Sequence, residues 1–73
     1  MTQKYALVLG GGGFIGGHLV KKLKQQGFWV RAADLKFNEH ADTNADDFVI
    51  CDLRNQEAVR SIIDRKFDEI YQL

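Results

Sequence analysis

The chain has 73 residues, with ten basic and ten acidic side chains, one cysteine and no proline. A formal net charge of zero excludes nucleic-acid or membrane-surface binding driven by bulk charge. The lone Cys51 excludes an intrachain disulfide, and no apolar stretch approaches the ~20 residues of a membrane span. Met1–Lys4 is too polar for a signal peptide, and an unpaired cysteine in an apolar run points to a reducing cytoplasm. His18 and His40 do not pair with Cys51 at a zinc-ligand spacing, so stability must come from burial alone.

Tyr5–Leu9 is a short, nearly continuous apolar run, which predicts a strand buried on both faces as in parallel sheets. Gly10–Gly13 reads as a turn. From Phe14 to Gln26, Ile15, Leu19 and Leu23 follow an i, i+4 row with Val20 beside it, predicting an amphipathic helix. Lys21, Lys22 and Lys24 lie near its carboxyl end, and Gly27 is its expected stop. Phe28–Ala33 is predicted to be the second strand, ending at Asp34. Leu35–Asp46 is polar and acidic and reads as a loop. Phe48–Cys51 is the predicted third strand. A second helix follows, capped near Asn55, with a buried stripe of Ala58, Val59, Ile62 and Ile63. Phe67–Leu73 reads as a fourth strand.

This β-α-β-β-α-β order predicts a Rossmann-type α/β fold, with parallel strands joined by right-handed crossovers. Two helices are few for a parallel sheet that needs cover on both faces. Residues 1–73 therefore read as the N-terminal part of an NAD(P)-binding Rossmann domain.

The glycines between the first strand and the first helix carry the main functional signal. A diphosphate needs several backbone N–H groups and no Cβ in the way, and a helix amino terminus supplies both the donors and a positive dipole end. Gly11, Gly13 and Gly16 fit one dinucleotide spacing, and Gly10, Gly13 and Gly16 fit another. Phe14-Ile15 stands where a P-loop requires Gly-Lys-Ser/Thr, which disfavours an NTPase. Asp34 ends the second strand 18 residues beyond Gly16, where a carboxylate can accept both adenosine ribose hydroxyls. Its charge would repel a 2′-phosphate, so NAD is favoured over NADP. Arg31 and Lys36 are nearby cations, and Lys36 keeps NADP open. Asp52 ends the third strand and could accept from the exocyclic amine of adenine while Leu53 packs on the ring. Asp34 as a plain turn residue, and Asp52 as a loop or capping residue, are the alternatives.

Other reactive side chains carry less. Cys51 lacks an adjacent histidine and reads as core. His18 reads as a surface or packing residue. Glu39, His40 and Asp42 show no diagnostic metal spacing. Phe28 and Trp29 read as strand core, and Tyr71 has no lysine four residues on.

Gly10–Val20, Gly-Gly-Gly-Gly-Phe-Ile-Gly-Gly-His-Leu-Val, resembles the extended short-chain dehydrogenases/reductases, the NAD-dependent sugar-nucleotide epimerases and dehydratases. Their pattern selects Gly10, Gly13 and Gly16, and Gly17 departs from a frequent serine. Asp34 matches the family's ribose-binding acid and Asp52-Leu53 its adenine-side pair. Asp34–His40 and the later Cys-Asp-Leu-Arg most resemble the GDP-mannose 3,5-epimerases. The resemblance implies pyrophosphate held by the backbone of Gly10, Gly13, Phe14, Ile15 and Gly16. It also implies transient hydride transfer to NAD, a nucleotide-sugar substrate and a homodimeric whole protein. The family's catalytic Ser/Thr and Tyr-x-x-x-Lys match nothing in these residues, so no catalytic residue is assigned. The same pocket would also serve a non-catalytic NAD-binding or redox-sensing module. The Gly11-Gly13-Gly16 spacing leaves a flavoprotein open.

Overall fold

The computed structural model describes residues 2–35 and 44–73. Its elements are β1 (Tyr5–Leu9), α1 (Phe14–Gln25), β2 (Trp29–Asp34), β3 (Asp47–Ile50), α2 (Gln56–Ile62) and β4 (Glu69–Gln72). The strands form one parallel sheet in the order β3-β2-β1-β4. The step from β1 to β2 and the longer return from β3 to β4 run in opposite directions. Right-handed crossovers then place α1 and α2 on opposite faces of the sheet. The result is the Rossmann-type α/β arrangement that the sequence predicts.

Alternation along β1 divides the core in two. Ala6 and Val8 join Val30, Ala32, Val20 and Leu23 on the α1 face. Leu7 and Leu9 join Ala33, Cys51 and Ile62 on the α2 face. Ala6–Leu9 are all buried, as expected of a central strand covered on both sides. Cys51 is buried in the second cluster, in agreement with a packing role.

Several boundaries differ from expectation for local reasons. Gly27 has φ +88° and stops α1 in a left-handed turn, with Gly27 N–H donating to Lys24 O at 3.0 Å and Phe28 N–H to Leu23 O at 3.1 Å. Phe28 is thereby part of the helix stop and not of β2, and its buried side chain joins Leu23 in the core. The expected α1 stripe began at Ile15, which is 72% exposed. The buried row is instead Gly16, Val20 and Leu23, which lies about 100° around the helix from Ile15 at ~100° per residue. Ile63, expected on the α2 stripe, is the helix's C-cap and is 40% exposed. Asn55 caps α2 as predicted, its Oδ1 accepting Glu57 N–H at 3.0 Å and Ala58 N–H at 3.1 Å.

Polar side chains tie the loops to the sheet. Asp46 accepts Val30 N–H at 2.7 Å and pairs with Lys24 at 2.8 Å. Arg31 is buried and reaches three acceptors: Asp47 at 2.8 Å, Ile62 O at 2.8 Å and Asp64 at 2.9 Å. At the amino ends of β1 and β2, Trp29 lies 5.6 Å from Tyr5 between ring centroids, with the guanidinium of Arg65 4.5 Å from its own centroid.

Candidate functional site

Because the strands are parallel, the carboxyl ends of β1, β2 and β3 meet at one end of the sheet. Leu9 pairs with Ala33, and Asp34 with Ile50. Gly10, the first turn residue, has φ +95°, a conformation that favours glycine. The reversal lets Gly10 and Gly11 both donate to Ala33 O, at 2.7 and 3.2 Å. The turn is thereby stapled to the end of β2.

Gly16 explains how close α1 comes. A Cβ there would lie 2.3 Å from Gly10 O and 2.7 Å from Gly11 Cα. The close packing is against the turn itself, not the strand before it. Gly13, by contrast, has nothing nearer than Gly10 O at 3.8 Å. Its missing Cβ leaves open space at the helix entrance.

That entrance is built for an anion. The N-cap Gly13 offers no side-chain cap, and the first turn of α1 holds no acidic residue. The amides of Phe14, Ile15 and Gly16 find no acceptor among the described residues. Uncapped donors and a positive dipole end are what a diphosphate requires, so the residues present fit one. The side chains of Phe14 and Ile15 are exposed, at 82% and 72%.

Asp34 stands beside this entrance. Its Oδ2 accepts Gly12 N–H at 2.9 Å and its Oδ1 accepts Leu35 N–H at 2.6 Å. Gly12 is named by neither glycine spacing, so the periodic motif gave no signal for this bond. Arg31 is withdrawn from the site, since Asp47, Asp64 and Ile62 O engage it on the α2 face. It therefore offers nothing to a 2′-phosphate. Lys36 lies outside the described residues, as do Glu39, His40 and Asp42. Among the described residues, no group of three His, Cys, Asp or Glu side chains could hold a metal.

Asp52 is engaged by a residue the sequence reading overlooked. Arg54 brings its Nε to Oδ1 at 3.0 Å and its Nη2 to Oδ2 at 3.1 Å, and its backbone N–H also donates to Oδ1. These bonds hold the Asp52 carboxyl below the ordinary carboxylate range. The Asp-x-Arg spacing was the available signal. Asp52 does not cap α2, a role Asn55 fills. Leu53, Leu9 and Val59 line a cleft of about 360 Å³ between α2 and the ends of β1 and β4, with Gln56, Arg60 and Gln72 at its polar positions. The mix of apolar wall and a few polar groups suits part of a nucleotide.

Two remaining side chains take no part. His18 is exposed and packs edge-on against Phe14, 4.6 Å between centroids. Tyr71 donates its hydroxyl to Glu69, which pushes the phenol's pKa up, away from what a proton-abstracting phenolate needs.

The sequence profile of the NAD dependent epimerase/dehydratase family matches residues 6–73. The chain belongs to that family. It is similar to a GDP-mannose 3,5-epimerase of Arabidopsis thaliana, 44% identical over 52 residues, which cover 68% of this chain and 14% of the relative. It is also similar to GDP-mannose 3,5-epimerase 1 of Oryza sativa subsp. indica and subsp. japonica, each 43% identical over 49 residues, covering 64% of this chain and 13% of the relative. The chain thus spans a small part of the length of the curated relatives it matches. Family membership makes a nicotinamide dinucleotide the cofactor class.

Proposed function

We propose that this chain is the NAD-binding part of a sugar-nucleotide epimerase, the first portion of a larger Rossmann domain. The uncapped amino end of α1 carries the proposal, because it combines free amides, an open Gly13 and a carboxylate one turn residue away. The backbone of Gly10, Gly13, Phe14, Ile15 and Gly16 holds the pyrophosphate. Asp34 takes the adenosine ribose hydroxyls, and its charge favours NAD over NADP. Asp52, kept in place by Arg54, faces the adenine amine, and Leu53 packs on the ring. In this reading NAD supplies the hydride acceptor for a nucleotide-sugar carbon and later returns the hydride. The residues of this chain bind and orient it.

The 43–44% identity to GDP-mannose 3,5-epimerases supports a GDP-sugar as substrate and epimerisation over dehydration as the reaction. Following the family resemblance, we place the whole protein as a homodimer. The buried Cys51 thiol supports a reducing, cytoplasmic location. Calorimetric titration with NAD and NADP tests the cofactor assignment. Binding of NAD with weaker NADP binding is expected, and Asp34→Ala should weaken NAD more than NADP. Equal NAD affinity in Asp34→Ala refutes the ribose assignment.

A further inference from the structure

We propose that Asp34 is a positioning residue for the glycine turn as well as a ribose acceptor, fixing Gly12 before any cofactor arrives. The inference rests on the dinucleotide reading of the site and assigns a second role within it. Of the four turn glycines, Gly10 and Gly11 are held by Ala33 O, while Gly13 N–H reaches Gly10 O only at 3.4 Å. The middle of the turn has one firm anchor, the 2.9 Å bond from Gly12 N–H to Asp34 Oδ2. A run of glycines has high conformational entropy, so this segment needs a tether outside its own backbone to keep one shape. Asp34 is itself fixed from the other side, because Leu35 N–H occupies Oδ1.

The geometry leaves Asp34 able to serve both roles. An ionised carboxylate offers about four lone-pair sites, of which Gly12 and Leu35 occupy one on each oxygen. The free site on each oxygen can accept a ribose hydroxyl without breaking either bond. The carboxylate therefore meets the ribose already oriented, and the turn meets the pyrophosphate already shaped. A charge-assisted bond to a backbone amide is strong enough to matter here.

Two measurements test this. The first is amide hydrogen exchange on the full chain without cofactor. In a chain whose β1 amides are protected, Gly12 should be protected while Phe14 and Ile15, which have no acceptor, exchange freely. Gly12 exchanging as fast as Phe14 and Ile15 overturns the proposal. The second uses an NAD analogue lacking both adenosine ribose hydroxyls. A carboxylate that served the ribose alone would leave the analogue's affinity unchanged when removed, or raise it by relieving repulsion with the pyrophosphate. The positioning role predicts that Asp34→Ala weakens the analogue about ten-fold, the scale of one lost charge-assisted bond. Asp34→Asn, which keeps one oxygen for Gly12 but loses the charge and sets its NH2 against Leu35 N–H, should bind the analogue with an affinity between those of the parent chain and Asp34→Ala. Undiminished analogue binding by Asp34→Ala overturns the proposal. If the parent chain binds neither NAD nor the analogue, the cofactor reading fails, while the exchange pattern still decides the tether.

Discussion

Adjacent glycines in α1 should respond to alanine with opposite signs. At Gly17 a new Cβ meets nothing within 4 Å, so Gly17→Ala gains the helix-propensity difference of about 1 kcal/mol. At Gly16 the same gain is opposed by a Cβ 2.3 Å from Gly10 O and 2.7 Å from Gly11 Cα. Both obstacles are backbone atoms, so no rotamer change relieves them and α1 must lift from the turn. Overpacking of this kind costs roughly 1–3 kcal/mol, and the absence of a flexible neighbour favours the upper end. The two variants should then differ by about 2–3 kcal/mol, or roughly 10–20 °C in Tm for a domain of this size. Thermal and urea unfolding followed by circular dichroism read this directly. NAD titration adds a second axis: lifting α1 misplaces the free amides, so Gly16→Ala should also lose affinity while Gly17→Ala keeps it. A Gly16→Ala chain that melts at or above Gly17→Ala would refute the close-approach argument.

Three further perturbations test the frame around the site. Arg31→Met keeps the buried stem but removes the donor to Ile62 O, and should cost about 1–3 kcal/mol in urea unfolding, chiefly from the orphaned carbonyl. Asp47→Asn and Asp64→Asn, at half-exposed partners, should each lower the urea midpoint less than Arg31→Met does. Asn55→Ala removes the α2 cap and should cost about 1 kcal/mol, read from the same urea curves, with Asn55→Asp close to the parent. Burial alone would raise the Asp46 carboxyl, but bonds from Lys24 and Val30 N–H outweigh it. Asp64 is lowered first by Arg65 and then by Arg31, so both titrate below their ordinary value of 3.8. A depressed folded value means the stabilisation is complete above the unfolded value and is lost as pH falls through the lower folded one. Urea midpoints should therefore fall over that acid interval, and Asp46→Asn should flatten the fall.

The alternating core of β1, the helix stop at Gly27 and the cap at Asn55 were legible in the sequence because each depends on neighbours within a few residues. Asp34 was legible as a strand-ending acid for the same reason. Ile15 misled because an i, i+4 row drifts about 40° around the helix per step, so its first member lies well off the face that Val20 and Leu23 bury. Phe28 misled because an aromatic after glycine serves a helix stop or a strand start equally well. The Gly12–Asp34 bond joins residues 22 apart, and Arg31 joins β2 to the end of α2. Neither pairing follows from spacing, since each depends on the β3-β2-β1-β4 order and on which sheet face a side chain meets. Arg54 was closer to hand, two residues beyond Asp52, but its effect on that carboxyl depends on the turn that folds it back.

The aromatic cluster at the amino ends of the strands has a practical consequence. Trp29 is the chain's sole tryptophan, wedged against Tyr5 and the Arg65 guanidinium. It opens the strand that Asp34 closes, about 17 Å away at ~3.3 Å per residue. Its emission should therefore shift when the guanidinium stack comes apart on unfolding and change little when the opposite end takes a ligand. The molecule carries its own optical probe, one that separates loss of structure from occupancy of the turn without any label.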